Sequence, residues 1–334
     1  MKHYLLLKKI DVQNANTIAG LTYGFPAITN FLGFAHALSR KLAPKIGVTL
    51  GGVVVISHKN AVHVRQPSGW GDYVFALTRN PLTQQGNTAP INEEGRMSLQ
   101  VSLLIELEGI TSGDEQTKLQ LITELRRIVP TMRLAGGQIT HVQEYLPLTG
   151  EDEQRKELHR LMPGFALIDR RNYLADHFAA MQQIKPESTL MDAWSDFATL
   201  SYKATLVDGE AENEEGERKT KAQWDYQPKP NAGYLVPLAS GYCAISKNYQ
   251  PGEVANVRDT SVPVTFAEMA YTVGEWLSVH RLEDIQRGIW HYHHDFPWYV
   301  AQGYVPEIES TQNEIPEPDL LDGIDDTGFD PDFL

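Results

Sequence analysis

The sequence predicts an α+β fold: a β-α-β-β-α-β core in residues 1–150, an insertion inside that core, and a largely helical part behind it. Three observations carry the prediction. The chain opens with an apolar run, a polar loop and an amphipathic helix. β-branched and aliphatic runs then recur on either side of a segment rich in Gly, Pro, Asn and Thr. A second helix, with apolar residues three and four apart, precedes a last strand.

In order, Tyr4 to Val12 reads as the first strand and Gln13-Asn14-Ala15-Asn16 as the polar loop at its end. Ile28, Phe31, Leu32, Ala35, Leu38 and Leu42 mark one face of a helix over 26–42, with Pro26 suited to its first turn and Pro44 expected just past its end. Gly51 to Ser57 reads as the second strand and Leu99 to Leu107 as the third. Between them, residues 60–98 read as a protruding hairpin or long insertion. Glu115 to Val129 reads as the second helix, with Leu119, Ile122, Leu125 and Ile128 on one face, and Met132 to Val142 as the closing strand, broken near its start by Gly136-Gly137. This order is the ferredoxin-like, RNA-recognition-motif (RRM-like) topology, which hosts many functions and assigns none.

Beyond the core, helices are expected to Met162, over 170–184, over 190–202 and over 266–294, with short strands and turns over 231–262. Residues 151–305 are expected to pack on the core as a helical and mixed region. The segment 208–217 reads as a solvated loop and 306–334 as a disordered acidic tail.

The chain's net charge of −14 argues against nucleic acid only until it is mapped. Residues 1–150 carry 14 Lys and Arg against 10 Asp and Glu, while the tail 306–334 holds ten acids and 208–217 six, neither with a base. Without those two segments the chain is at +2. A local field, not the whole-chain sum, governs binding to a polyanion. Cys243 is the only cysteine, so no intramolecular disulfide forms and a reducing cytoplasm is the natural compartment. No apolar run is long enough for a membrane span, and Leu5 to Leu7 is too short for a signal peptide.

Amides rather than carboxylates at a strand end suit hydrogen bonding to bases and phosphates, not proton transfer. Candidate contacts are Gln13, Asn14 and Asn16; His36 and Arg40, on a helix stripe with Thr29 and Gly33; Arg79 and Asn80, at a turn of the insertion; and Arg133 with Gly136 and Gly137. Each has a plain alternative: a solvated helix face, an Asn-Pro turn, a bulge. Trp70 and Tyr73 are expected to be exposed on the insertion. His291-Tyr292-His293-His294 invites a metal reading, but helical geometry would put only 291 and 294 on one side, and no Cys pair or His-Glu-x-x-His accompanies them. The sequence calls for no metal, cofactor or catalytic dyad.

A resemblance sharpens this. Gln13-Asn14-Ala15-Asn16, Gly24-Phe25-Pro26 and Phe31 to Leu38 are followed in order by Leu77 to Leu82, Glu93-Glu94-Gly95-Arg96, Met132 to Gly137 and Leu161 to Leu167. Gly233 to Pro237, Pro251 to Val254 and Gly274 to Arg281 complete the series. Together they resemble the Csy-two family, the Cas-five-type subunit of the type I-F CRISPR surveillance complex. The resemblance implies an RRM-like core whose insertion at 60–98 is a thumb hairpin. It also implies a non-catalytic role: holding the 5′ handle of CRISPR RNA, pairing with the large subunit, abutting the terminal Cas-seven-type backbone subunit, and meeting target DNA only indirectly. It places Arg79, Arg96 and Arg133 among the expected handle contacts. The alternatives are a repeat-RNA endoribonuclease using His36, and a protein-only scaffold.

Overall fold

A chain apolar on both sides has to lie between two layers. β1 (His3–Asn16) does: Leu5, Leu7, Ile10 and Val12 enter one core, Tyr4 and Leu6 another, and all are buried. The computed structural model describes residues 2–212 and 218–304. After β1 come a small hairpin, β2 (Ile18–Ala19) with β3 (Thr22–Tyr23), then α1 (Ile28–Ile46) and β4 (Thr49–Val62). The insertion follows as β5 (Val64–Arg65), β6 (Val74–Arg79) and β7 (Ile91–Glu94). The first half ends with β8 (Arg96–Glu108), α2 (Glu115–Ile128), β9 (Arg133–Leu134) and β10 (Gly137–Leu148).

The expected element order is therefore present. The strands lie side by side as β10-β1-β8-β4, each pair antiparallel. Phe31, Leu38 and Leu42 of α1 and Leu121 and Leu125 of α2 share one core with Ile10, Val12, Val101 and Leu103, so both helices cover the same face. Several boundaries moved: β1 runs on through Gln13 to Asn16, which was expected as a loop, and α1 starts at Ile28, leaving Pro26 before its first turn. Pro44 lies inside α1, which runs on to a left-handed Gly47 cap at φ 70°. The closing strand starts at Gly137 and extends to Leu148, because Ala135 and Gly136 turn the chain with positive φ and split off β9.

The second half corrects the helical reading. α3 (Glu151–His159), α4 (Arg171–Ile184) and α5 (Leu190–Ala198) are helices, with β11 (Phe165–Asp169) between the first two. Residues 201–227 are a hairpin, β12 (Ser201–Glu212) with β13 (Arg218–Gln227), where a helix end and a loop were expected; 213–217 lie outside the described residues. β14 (Leu235–Ala244) follows. The stretch expected as a helix over 266–294 is β15 (Ala267–Ser278), two short 3-10 turns and the start of β16 (Trp290–Asp295), which pairs with β17 (Trp298–Gly303). Ala270, Val273 and Trp276 sit at helix-like spacing, but the strand is packed on both faces, so alternation is lost. The His cluster is thus on a strand, and His291 and His293 share a side. The tail 306–334 is outside the described residues.

The whole is a mixed α+β fold, mostly strands in one ten-stranded antiparallel sheet, with a few helices. Its second half closes on itself: β4 pairs with both β16 and β11, and β11-β15-β14-β17-β16 completes a ring. Trp290 is fully buried where the ring meets the core, and its Nε1 donates to the Leu167 carbonyl at 2.8 Å. Among the described residues no helix is long and apolar enough to cross a membrane.

Glu106 of β8 ties the halves together. His291 Nε2 donates to it at 2.6 Å, the Gly52 N–H at 3.0 Å and Lys2 Nζ at 3.1 Å. The His291 hydrogen bond, helped by Gly52 and Lys2 and opposed by burial, holds its pKa down at about 2 against an ordinary 4.5. A depressed carboxylate stabilises the fold above the unfolded pKa and loses that contribution as pH falls towards the folded one. Glu106→Gln is therefore expected to remove on the order of 2 kcal/mol of stability at neutral pH. The difference from wild type should vanish between about pH 5 and about pH 2 in urea titrations. A difference that does not change with pH would refute this linkage.

Candidate nucleic-acid interface

Alternation decides which side chains leave the core at the far end of the sheet. Ile10 and Val12 of β1, and Leu99 and Val101 of β8, turn towards α1 and α2; Asp11, Gln13 and Gln100 turn the other way. Gln13 lies opposite Gln138, and Gln138 opposite Arg133. Opposed residues of antiparallel strands share a face, so Gln13, Gln138 and Arg133 form one exposed rung across β1, β10 and β9. In the next rung Asp11 lies opposite both His141 and Gln100, and Gln100 opposite Lys59. Gln100 Nε2 donates to Asp11 Oδ1 at 2.8 Å. Both rungs lie at the end of the sheet on the face away from α1 and α2.

The local backbone explains why these residues meet. Asn14 adopts φ 56° where β1 shifts register against β8, a left-handed conformation that asparagine tolerates. Gly137 is the close-approach position: a Cβ there would stand 2.7 Å from the Ala15 nitrogen and 2.7 Å from the Gln13 carbonyl oxygen. The Asn16 N–H donates to the Ala135 carbonyl at 2.8 Å, locking the turn of β9 and β10 onto the end of β1. Arg133 Nη1 donates to the Gly136 carbonyl at 3.1 Å, across that turn.

Seven of the residues singled out in the sequence come together here: Gln13, Asn14, Asn16, Arg96, Arg133, Gly136 and Gly137. They differ in how free they are. Asn16 is occupied: its Nδ2 donates to the Ile18 carbonyl at 2.6 Å and its Oδ1 accepts from the Ile18 N–H at 3.3 Å, so it shapes the loop. Arg96, opposite Asn16, gives Nη2 and Nε to Glu94 Oε2 at 2.9 and 3.1 Å, while Nη1 reaches the Asn14 carbonyl at 3.5 Å. Gln13, Asn14, Arg133 and Gly136 are exposed.

Four others lie elsewhere. His36 and Arg40 are exposed on α1, on the other side of the sheet. The front of their stripe is covered, since Tyr292 Oη donates to the Thr29 carbonyl at 3.1 Å beside Gly33. Arg79 and Asn80 are exposed at the end of β6, on the insertion. That insertion touches the core through an edge-to-face contact of Phe75 with Tyr23, centroids 6.0 Å apart. Trp70 is exposed there.

Amides present a donor and an acceptor side by side, and a guanidinium offers a planar fork of donors. A rung of two amides and one arginine can pair with the edge of a splayed base and hold the adjacent phosphate. Among the described residues no group of three or more His, Cys, Asp or Glu side chains is placed to hold a metal.

Comparison with known proteins agrees with the resemblance. Residues 5–300 match the family described as CRISPR-associated protein (Cas_Csy2). The chain is also 38% identical over 308 residues to the CRISPR-associated protein Csy2 of Pseudomonas aeruginosa strain UCBPP-PA14, covering 88% of this chain and 92% of that protein. The chain belongs to the Csy2 family.

Not every motif that resembles the Csy2 family is at the rim. In Gly24-Phe25-Pro26, Phe25 stacks on Phe31 at 5.6 Å and meets Trp276 edge-on at 4.8 Å, so this motif fastens α1 to β15. Conversely, sequence reasoning missed Gln138, Gln100, Lys59 and His141. The signal was there in the alternation Ile10-Asp11-Val12-Gln13 and Leu99-Gln100-Val101, which marks 11, 13 and 100 as outward-facing.

Proposed function

We propose that this chain is the non-catalytic subunit of a type I-F CRISPR surveillance complex that holds the 5′ handle of the CRISPR RNA. In this reading it pairs with the large subunit, abuts the terminal backbone subunit, and meets target DNA only through the assembly. The observation that supports it best is the rung Gln13, Gln138 and Arg133, exposed at the end of the sheet on the face away from α1 and α2. Its chemistry binds and orients a single strand and supplies no nucleophile. The spatial order β10-β1-β8-β4 supports an RRM-like core, and the three strands at 64–94 support a thumb. Arg79 and Asn80 then serve the thumb's contact with RNA, separately from the rim. His36, the endoribonuclease candidate, is on the opposite side of the sheet from the rung, which favours the binding role.

Crosslinking tests this. Handle RNA carrying 4-thiouridine, assembled with the co-expressed complex, should give adducts on the peptides containing Gln13, Arg133 and Gln138. Adducts confined to other subunits would overturn the reading in favour of a protein-only scaffold. Cleavage products from purified chain and repeat RNA would overturn it in favour of the endoribonuclease.

A further inference from the structure

Two motifs that the sequence singled out lie away from the rim, and the fold brings them together. One is the α1 stripe of Thr29, Gly33, His36 and Arg40; the other is His291-Tyr292-His293-His294 on β16. Tyr292 joins them. Its Oη donates to the Thr29 carbonyl at 3.1 Å and would stand 3.8 Å from a Cβ at Gly33. Its ring stacks on Tyr299 of β17, centroids 5.1 Å apart and planes at 22°. A row of rings runs on from there. His294 lies opposite Tyr299 and Tyr299 opposite Tyr242, so the three share one face across β16, β17 and β14. That face is the one on which Trp290 and Ala301 enter the core with α1. Trp290 and Ala301 are buried, but the row beyond them is exposed, Tyr242 keeping 48% of its surface and Tyr299 44%.

Charge and ring type say what the row and the stripe take. α1 holds no Asp or Glu, and past Gly33 it exposes His36, Arg40 and Lys41. Among the described residues neither Arg40 nor Lys41 has an ion-pair partner. The acids next to the row along its strands turn away: Asp295 is one residue off it on β16, and Glu268 lies opposite Cys243, one residue off it on β14. From Gly33 to Arg40 the helix climbs about 10 Å at roughly 1.5 Å per residue, so one short strand can meet both rings and cations. Unpaired cations beside exposed rings are how a single strand is held, its bases stacked and its phosphates neutralised. Tyrosine hydroxyls and an imidazole at the same place can also meet a 2′-hydroxyl, which DNA lacks. We infer that α1 and the ring row form a second interface, separate from the rim, for single-stranded RNA: Tyr242, Tyr299 and His294 carry bases, and Arg40 and Lys41 carry phosphates. It goes beyond the handle contact proposed above and needs none of the rim residues.

The test titrates the full-length chain, with the rim crippled by Arg96→Ala and Arg133→Ala, with a short labelled oligouridylate. It should still bind. Adding Tyr242→Ala and Tyr299→Ala should weaken that binding about tenfold or more. Adding Arg40→Ala and Lys41→Ala instead should make the slope of log affinity against log salt shallower by about 1.4. Tyr242→Leu with Tyr299→Leu keeps an apolar contact with Tyr292 but removes the rings. It should weaken binding as the alanine variant does, so misfolding of the latter does not hide the result. No binding in the rim variant, binding unmoved in the ring variants or in the cation variant, or tighter binding of oligodeoxyuridylate than of oligouridylate would overturn the second interface. So would adducts to another protein or to the chain's own tail, rather than to RNA, when Tyr299 is replaced by the photoreactive benzoylphenylalanine in the co-expressed complex. The two readings fail separately: missing handle crosslinks at Gln13, Arg133 and Gln138 remove the rim and leave this interface, and missing oligouridylate binding does the reverse.

Discussion

Arg96→Ala combined with Arg133→Ala is expected to weaken binding of single-stranded handle RNA on the order of a hundredfold, about 3 kcal/mol, in fluorescence anisotropy at moderate salt. Each guanidinium is worth roughly 1.5–3 kcal/mol where it makes a charge-assisted hydrogen bond. Arg96 contributes towards the lower end, because RNA must displace Glu94 from it. If both arginines hold phosphates, the slope of log affinity against log salt should become shallower by about 1.4. The fold should not suffer, since Arg133 is exposed and Arg96 is partly so. Unchanged affinity with an unchanged salt slope would remove the rim from the binding site.

Trp290→Ala is expected to cost about 3–5 kcal/mol of stability, the range for truncating a large buried aromatic. The indole is fully buried at the join between ring and core, and its loss also leaves the Leu167 carbonyl without its donor. Trp290→Phe separates the two effects: it keeps most of the volume and is expected to cost about 1–3 kcal/mol, chiefly for the orphaned carbonyl. Thermal or urea unfolding measures both. A loss below about 1 kcal/mol for the alanine variant would mean that the join repacks freely.

The first half of the fold was legible because its elements are one-sided. Helices packed on a single face show spacings of three and four, and β1 and β8 alternate where their outer face meets water. β15 was not legible, because burial on both faces erased the alternation and left apolar residues at helix-like intervals. The β12 hairpin was hidden for the opposite reason: Leu206 and Trp224 are apolar without being buried. At the site, Gln13, Asn14 and Arg133 could be singled out by residue type at a strand end. Gln100 was marked as outward-facing by the alternation of β8, but Gln138 could be found only from register, which depends on the turn at Gly136. His36 and Arg40 show the limit of a helix stripe as a guide. Periodicity says that two residues share a face, not which side of the molecule that face is on.

One strand, β4, belongs at once to the four-stranded core and to the ring closed by β11. A single backbone thus supplies the edge against which both parts are completed. Cutting the chain after residue 150 would strip that edge bare, inviting adhesion between copies. The amide and arginine rim and the half that carries the hairpin are therefore inherited, made and lost as one piece.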